Sequence, residues 1–106
     1  MYKLYFYVPE NNLESVKEKL FKSGAGKIGE YRKCSWQTKG NGQFLPGVNS
    51  DPQIGERGKA KKLEEYKVEM VLQESIARKV VNTLLKVHPY EEPAYGLIKI
   101  FKSENL

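Results

Sequence analysis

The chain has one cysteine, one histidine and one tryptophan among its 106 residues. With Cys34 alone, no intramolecular disulfide can form and no cysteine pair is available to hold zinc. No apolar run approaches the roughly 20 residues that cross a bilayer, which argues against membrane insertion. The N-terminus lacks the basic-then-apolar run of a secretion signal, so the cytoplasm is the expected location. Charge of one sign is not in large surplus either. Lys and Arg number 18 against 13 Asp and Glu, a net +5 that attracts anions weakly and names no partner. What is present suits a globular domain: 40% hydrophobic and 11% aromatic residues, in a length that buries one core without staples.

Tyr2, Leu4, Phe6 and Val8 alternate with Lys3, Tyr5 and Tyr7 ahead of Pro9, the period of a strand with one more apolar face. Asn11 followed by Glu14 has the form of a capping box. Leu13, Val16, Leu20 and Phe21 then make one helical stripe ended by Gly24, which predicts a helix over about residues 12–23. Residues 31–38 predict a second strand, with a bulge where the parity of Tyr31, Cys34 and Trp36 breaks. Residues 39–62 hold five glycines and two prolines and are expected to be a long loop, functional or mobile. Tyr66, Val68, Met70 and Leu72 predict a third strand. Ile76, Val80, Leu84 and Val87 predict a second helix, and Tyr95 to Phe101 the last strand. The order βαββαβ matches an α+β, ferredoxin-like sandwich: one antiparallel sheet with two helices on one face.

Three motifs carry less than they first suggest. Gly24-Ala25-Gly26-Lys27-Ile28-Gly29 reads as G-x-G-x-x-G, but it follows a helix and precedes a strand, so no helix N-terminus faces it. A helix cap and tight turn is the expected role. Gly40 to Gly58 has no G-K-[ST] ending and is expected to shape a flap or bulged hairpin. Arg57, Lys59, Lys61 and Lys62 are interspersed with Glu56, Glu64 and Glu65 and lack interleaved aromatic stacking residues, which argues against nucleic acid. Cys34 is expected to be a small buried hydrophobe.

The densest chemistry is His88-Pro89-Tyr90-Glu91-Glu92-Pro93-Ala94-Tyr95, a stiff connection from helix to strand. His88 with Glu91 or Glu92 could supply two or three ligands to a divalent metal, or act as an acid and base pair. A helix-end histidine favoured by the helix dipole is the plainer alternative. If either carboxylate lies near His88, the imidazole pKa rises.

Together with Gly24-Ala25-Gly26-Lys27-Ile28-Gly29-Glu30-Tyr31, Cys34-Ser35-Trp36, Gly40-Asn41-Gly42-Gln43-Phe44-Leu45-Pro46 and Pro52-Gln53-Ile54-Gly55, this corner resembles the YqfO-type insertion domain of the Nif-three-like dinuclear-metal family. The resemblance spans nearly the whole chain and implies one domain over residues 1–106, in free-standing form, with a fold similar to the CutA and PII regulatory proteins. Those proteins assemble mainly as trimers, so the resemblance implies a homo-oligomer, a trimer ahead of a dimer. The family's metal ligands lie in halves that flank the module, so neither those metals nor an activity inferred from them is implied here. The expected function is a self-associating binding or regulatory module, more a binder than an enzyme. Its ligand, an unidentified small molecule, ion or protein, would meet His88, Tyr90, Glu91, Glu92, Gly42 and Phe44. The alternative is a metal-binding protein or enzyme that uses His88, Glu91 and Glu92.

Overall fold

The computed structural model describes residues 1–106. Strand β1 (Tyr2–Val8) leads through Pro9 into helix α1 (Glu10–Lys22); strands β2 (Trp36–Phe44) and β3 (Lys61–Leu72) follow. Helix α2 (Ala77–Val87), entered through a 3-10 turn at Glu74–Ile76, and strand β4 (Tyr95–Lys99) complete the βαββαβ order. The antiparallel sheet runs β2-β3-β1-β4, which is the expected ferredoxin-like arrangement. Leu4, Phe6 and Val8 of β1 and Val68, Met70 and Leu72 of β3 point to one side. There they pack with Leu13, Val16 and Leu20 of α1 and Val80 and Leu84 of α2. The opposite residues, Lys3, Tyr5 and Tyr7 among them, stay on a sheet face that no helix covers.

Both ends of α1 are informative. The expected capping box does not form: Pro9, extended at φ −68° and ψ 155°, takes the cap position, and no side chain caps the helix. The chain turns directly from strand into helix, so Asn11 already lies inside it, and Glu10 supplies the negative charge the first turn favours. At the other end, Gly24 at φ +112° donates its N–H to the Phe21 carbonyl at 3.0 Å, and the Ala25 N–H reaches the Leu20 carbonyl at 3.2 Å. That pair of bonds is a Schellman cap, so the G-x-G-x-x-G run is a helix stop followed by a turn in which the Ile28 and Tyr31 backbones bond reciprocally.

Three sequence expectations are corrected here. β2 begins at Trp36, not Tyr31, because residues 28–31 form that turn and Lys33 has φ +55°. Cys34 is only half-buried, since it lies in the turn ahead of β2 and not within the sheet. The presumed loop 39–62 is strand at both ends: Lys39 to Phe44 pair with Lys61 to Tyr66, leaving residues 45–60 as the loop. Backbone pairing with β3 overrides the weak strand preference of Gly40, Asn41 and Gly42. β1 covers β3 only along Tyr66–Leu72, so the far end of the β2–β3 pair projects as a two-stranded ribbon. The molecule is accordingly 49 Å long against 25 and 24 Å across.

Candidate functional site

The ribbon would be marginal alone, because two strands without a partner layer bury little. It is braced by the connection between α2 and β4. His88 ends α2 in extended conformation, φ −69° and ψ 139°, as a residue ahead of proline must, and this turns Pro89 and Tyr90 back toward the sheet. The His88 ring is buried. Its Nε2 lies 2.7 Å from the Tyr7 carbonyl, and its Nδ1 lies 3.1 Å from the Tyr90 backbone N. A carbonyl can only accept and an N–H can only donate, so the partners fix the tautomer: Nε2 carries the proton and Nδ1 accepts. Burial pushes the imidazole pKa below its usual 6.5, against smaller raising effects from the Tyr7 hydrogen bond and the charge of Glu65. The rise expected of a nearby Glu91 or Glu92 does not occur, and neither carboxylate is among the groups that act on the ring.

From His88 an aromatic series leads outward. Its ring meets Phe6 of the core edge-on at 6.3 Å on one side and Tyr90 at 4.8 Å on the other, and Tyr90 meets Phe44 of the ribbon at 6.1 Å. The Tyr90 hydroxyl donates to Glu65 of β3 at 2.6 Å. Burial, the hydrogen bond and the charge of Glu65 all raise the phenol pKa, so the group stays a protonated donor. Glu65 reaches this position by lying across Gly42: a Cβ on Gly42 would sit 1.7 Å from the carboxylate. Glu91 accepts the Asp51 N–H at 2.9 Å and ties down loop 45–60. The Arg57 guanidinium donates to the Ser50 carbonyl and the Gly58 N–H to that of Pro46, so the loop is also closed on itself.

Between the ribbon, the loop and the corner lies a cleft of about 750 Å³ on the open sheet face. Of the residues singled out in the sequence, Gly42, Phe44, Tyr90, Glu91 and Glu92 line it. His88 does not. It lies beneath, engaged by two backbone groups, so the ring as placed offers nothing to an ion or to a substrate proton. His88, Glu91 and Glu92 are not brought together as ligands, and no group of three or more His, Cys, Asp or Glu side chains is arranged to hold a metal ion. Sequence reasoning missed Tyr7, Glu65 and Lys67, which reach the cleft from β1 and β3. Their signal was present in the strand alternation, as the residues opposite the core-facing set.

No family model matches the chain. A protein of Halalkalibacterium halodurans named GTP cyclohydrolase 1 type 2 homolog is 43% identical over 97 residues, which are 92% of this chain and 26% of that protein. A solved structure, a Bacillus cereus protein related to NIF3, superposes with a TM-score of 0.75 at 34% identity, covering 91% of this chain and 24% of that one. Over nine-tenths of its length the chain is similar to one stretch of these Nif-three-like proteins. The chain spans about a quarter of the length of the curated relatives it matches. CutA1 from Pyrococcus horikoshii shares its fold, with a TM-score of 0.70 at 17% identity over 96% of this chain and 85% of that one. No helix of the domain is long and apolar enough to cross a membrane.

Proposed function

We propose that this chain is a small, self-associating binding or regulatory module of the cytoplasm whose ligand occupies the cleft between ribbon and corner. The meeting of two segments remote in sequence around one cleft carries this reading. A volume of about 750 Å³ falls within the roughly 300–1,000 Å³ usual for small-molecule sites. Glu91 and Tyr90 hold the loop and the ribbon at its rim, so the walls are formed before a ligand arrives. A thermal-shift screen with nucleotides, amino acids, amines, carboxylates and divalent ions tests it, repeated on Tyr90→Ala. At least one class raises the midpoint of the parent, and the rise shrinks in the variant. Equal shifts in both proteins for every class would remove the cleft from the reading.

Self-association is supported by the uncovered sheet face and by the outer edge of β2, which no strand pairs. Trp36 is 69% exposed and Ile98 52%, and their register partners Glu69 and Lys3 lie on that same face. A second copy docked at the Trp36 and Ile98 end would bury the edge and that part of the face, and closed symmetry would stop further growth. The resemblance to CutA favours a trimer. Light scattering coupled to gel filtration should give a trimer mass that falls to that of a monomer in Trp36→Arg. A monomer mass for the parent at micromolar concentration would end this part of the proposal.

A further inference from the structure

The cleft has the opposite charge balance to the chain that forms it. The protein carries +5, yet Glu65, Glu69, Glu91 and Glu92 line the cleft against Lys67 and Lys39. Lys39 is opposite Tyr66 in the register and so belongs to the helix side of the ribbon, where its ammonium is 3.1 Å from Glu64. Glu69 is compensated by Lys3 at 2.7 Å, and the Lys67 ammonium lies 5.6 Å from the centre of the Tyr5 ring. None of Glu65, Glu91 and Glu92 takes part in an ion pair. Glu65 accepts only the Tyr90 hydroxyl and Glu91 only the Asp51 N–H; these bonds hold the carboxylates in place and leave their charge uncompensated.

Aromatic rings stand beside these carboxylates. Tyr7, Phe44 and Tyr90 border the same cleft, with Phe44 and Tyr90 inclined at 46° to one another. Ring faces carry negative quadrupole charge, so carboxylate and aromatic groups attract the same kind of ligand. Pro46 and Ile54 add apolar wall suited to a ligand body. We infer that the cleft takes a small organic cation, an ammonium or guanidinium head on an apolar body, with the head toward Glu65 and Glu92 and the body against Phe44. This rests on the reading of the cleft as a binding site and assigns that site its ligand class.

Three probes with one body and different heads test it: phenethylamine, phenethyl alcohol and hydrocinnamate, titrated by NMR while the Gly40 and Gly42 amides at the cleft are followed. The amine is expected to bind about tenfold or more tighter than either of the others and to move those two amides. Glu92→Gln, at an exposed residue without a structural partner, and Glu65→Gln, which keeps an acceptor for Tyr90, should each weaken the amine severalfold and leave the alcohol unchanged. If the alcohol or the carboxylate binds at the cleft as tightly as the amine, the cationic assignment falls and the binding-module reading stands. If no probe binds at millimolar concentration, or the amine moves amides elsewhere, the assignment also falls, and the broader thermal-shift screen alone decides the binding-module reading.

Discussion

One strand lives in two environments. Along Tyr66–Leu72, β3 pairs with β1, and as far as Glu69 with β2 as well, with its apolar side chains buried under both helices; along Lys61–Glu65 it pairs with β2 alone and faces water. The first half is a strand because burying Val68, Met70 and Leu72 rewards the extended conformation. The second half is a strand because a partner backbone is alongside and because Tyr90 and Glu65 attach the pair to the corner. Core and ribbon thus get their order from different sources, and perturbations should separate them.

The largest separation should come from the two phenylalanines. Phe6→Ala empties a fully buried site and should cost about 3–5 kcal/mol of unfolding free energy, whereas Phe44→Ala, half-exposed on the ribbon, should cost about 1 kcal/mol or less. Denaturant unfolding followed by far-ultraviolet dichroism measures both, and equal losses would abolish the contrast.

Next is His88, where the two regions join. His88→Ala strands the Tyr7 carbonyl and the Tyr90 N–H, and should cost about 2–4 kcal/mol while speeding amide exchange along Gly40 to Phe44. The same residue predicts a pH dependence. Its pKa is lowered in the fold, so the unfolded chain binds the proton first as pH drops through the ordinary value of 6.5. His88 should therefore favour folding fully above that value and progressively less below it, a slope absent from His88→Ala. An imidazole titrating above 6.5 by NMR would reverse the sign and refute the neutral buried ring.

Smaller effects should stay within the ribbon. Tyr90→Phe keeps the ring and removes the hydrogen bond to Glu65, at a cost of about 1 kcal/mol after allowance for solvent screening. Amide exchange should quicken along Lys61–Glu65 and not along β1; uniform quickening would mean that the brace serves the whole domain. Gly42→Ala should have the slightest effect on stability, below about 1 kcal/mol, since the atom in its way is the end of a flexible Glu65 side chain. It should nevertheless displace that carboxylate from Tyr90, which a chemical-shift change at the Tyr90 ring would report.

The sequence by itself determined what repeats with burial. Alternation over Tyr2–Val8 and Tyr66–Leu72, and the stripes Leu13, Val16, Leu20 and Val80, Leu84, are written in side-chain polarity because each faces one core, and they suffice for the topology. The glycine stop after α1 was legible for the same local reason. The extension of β2 through Gly40-Asn41-Gly42-Gln43 was not, because pairing with β3 satisfies backbone groups that leave no mark on side-chain periodicity. The corner could be found but not interpreted: His88, Glu91 and Glu92 are close in sequence and invite a shared role. Only the tertiary structure decided that His88 turns inward to a carbonyl 81 residues away, that Glu91 holds a loop 40 residues away, and that Tyr90 meets Glu65 over a separation of 25. Each is a single long-range hydrogen bond, formed only once the core has placed its partners, and nothing in the local sequence specifies which partner that will be.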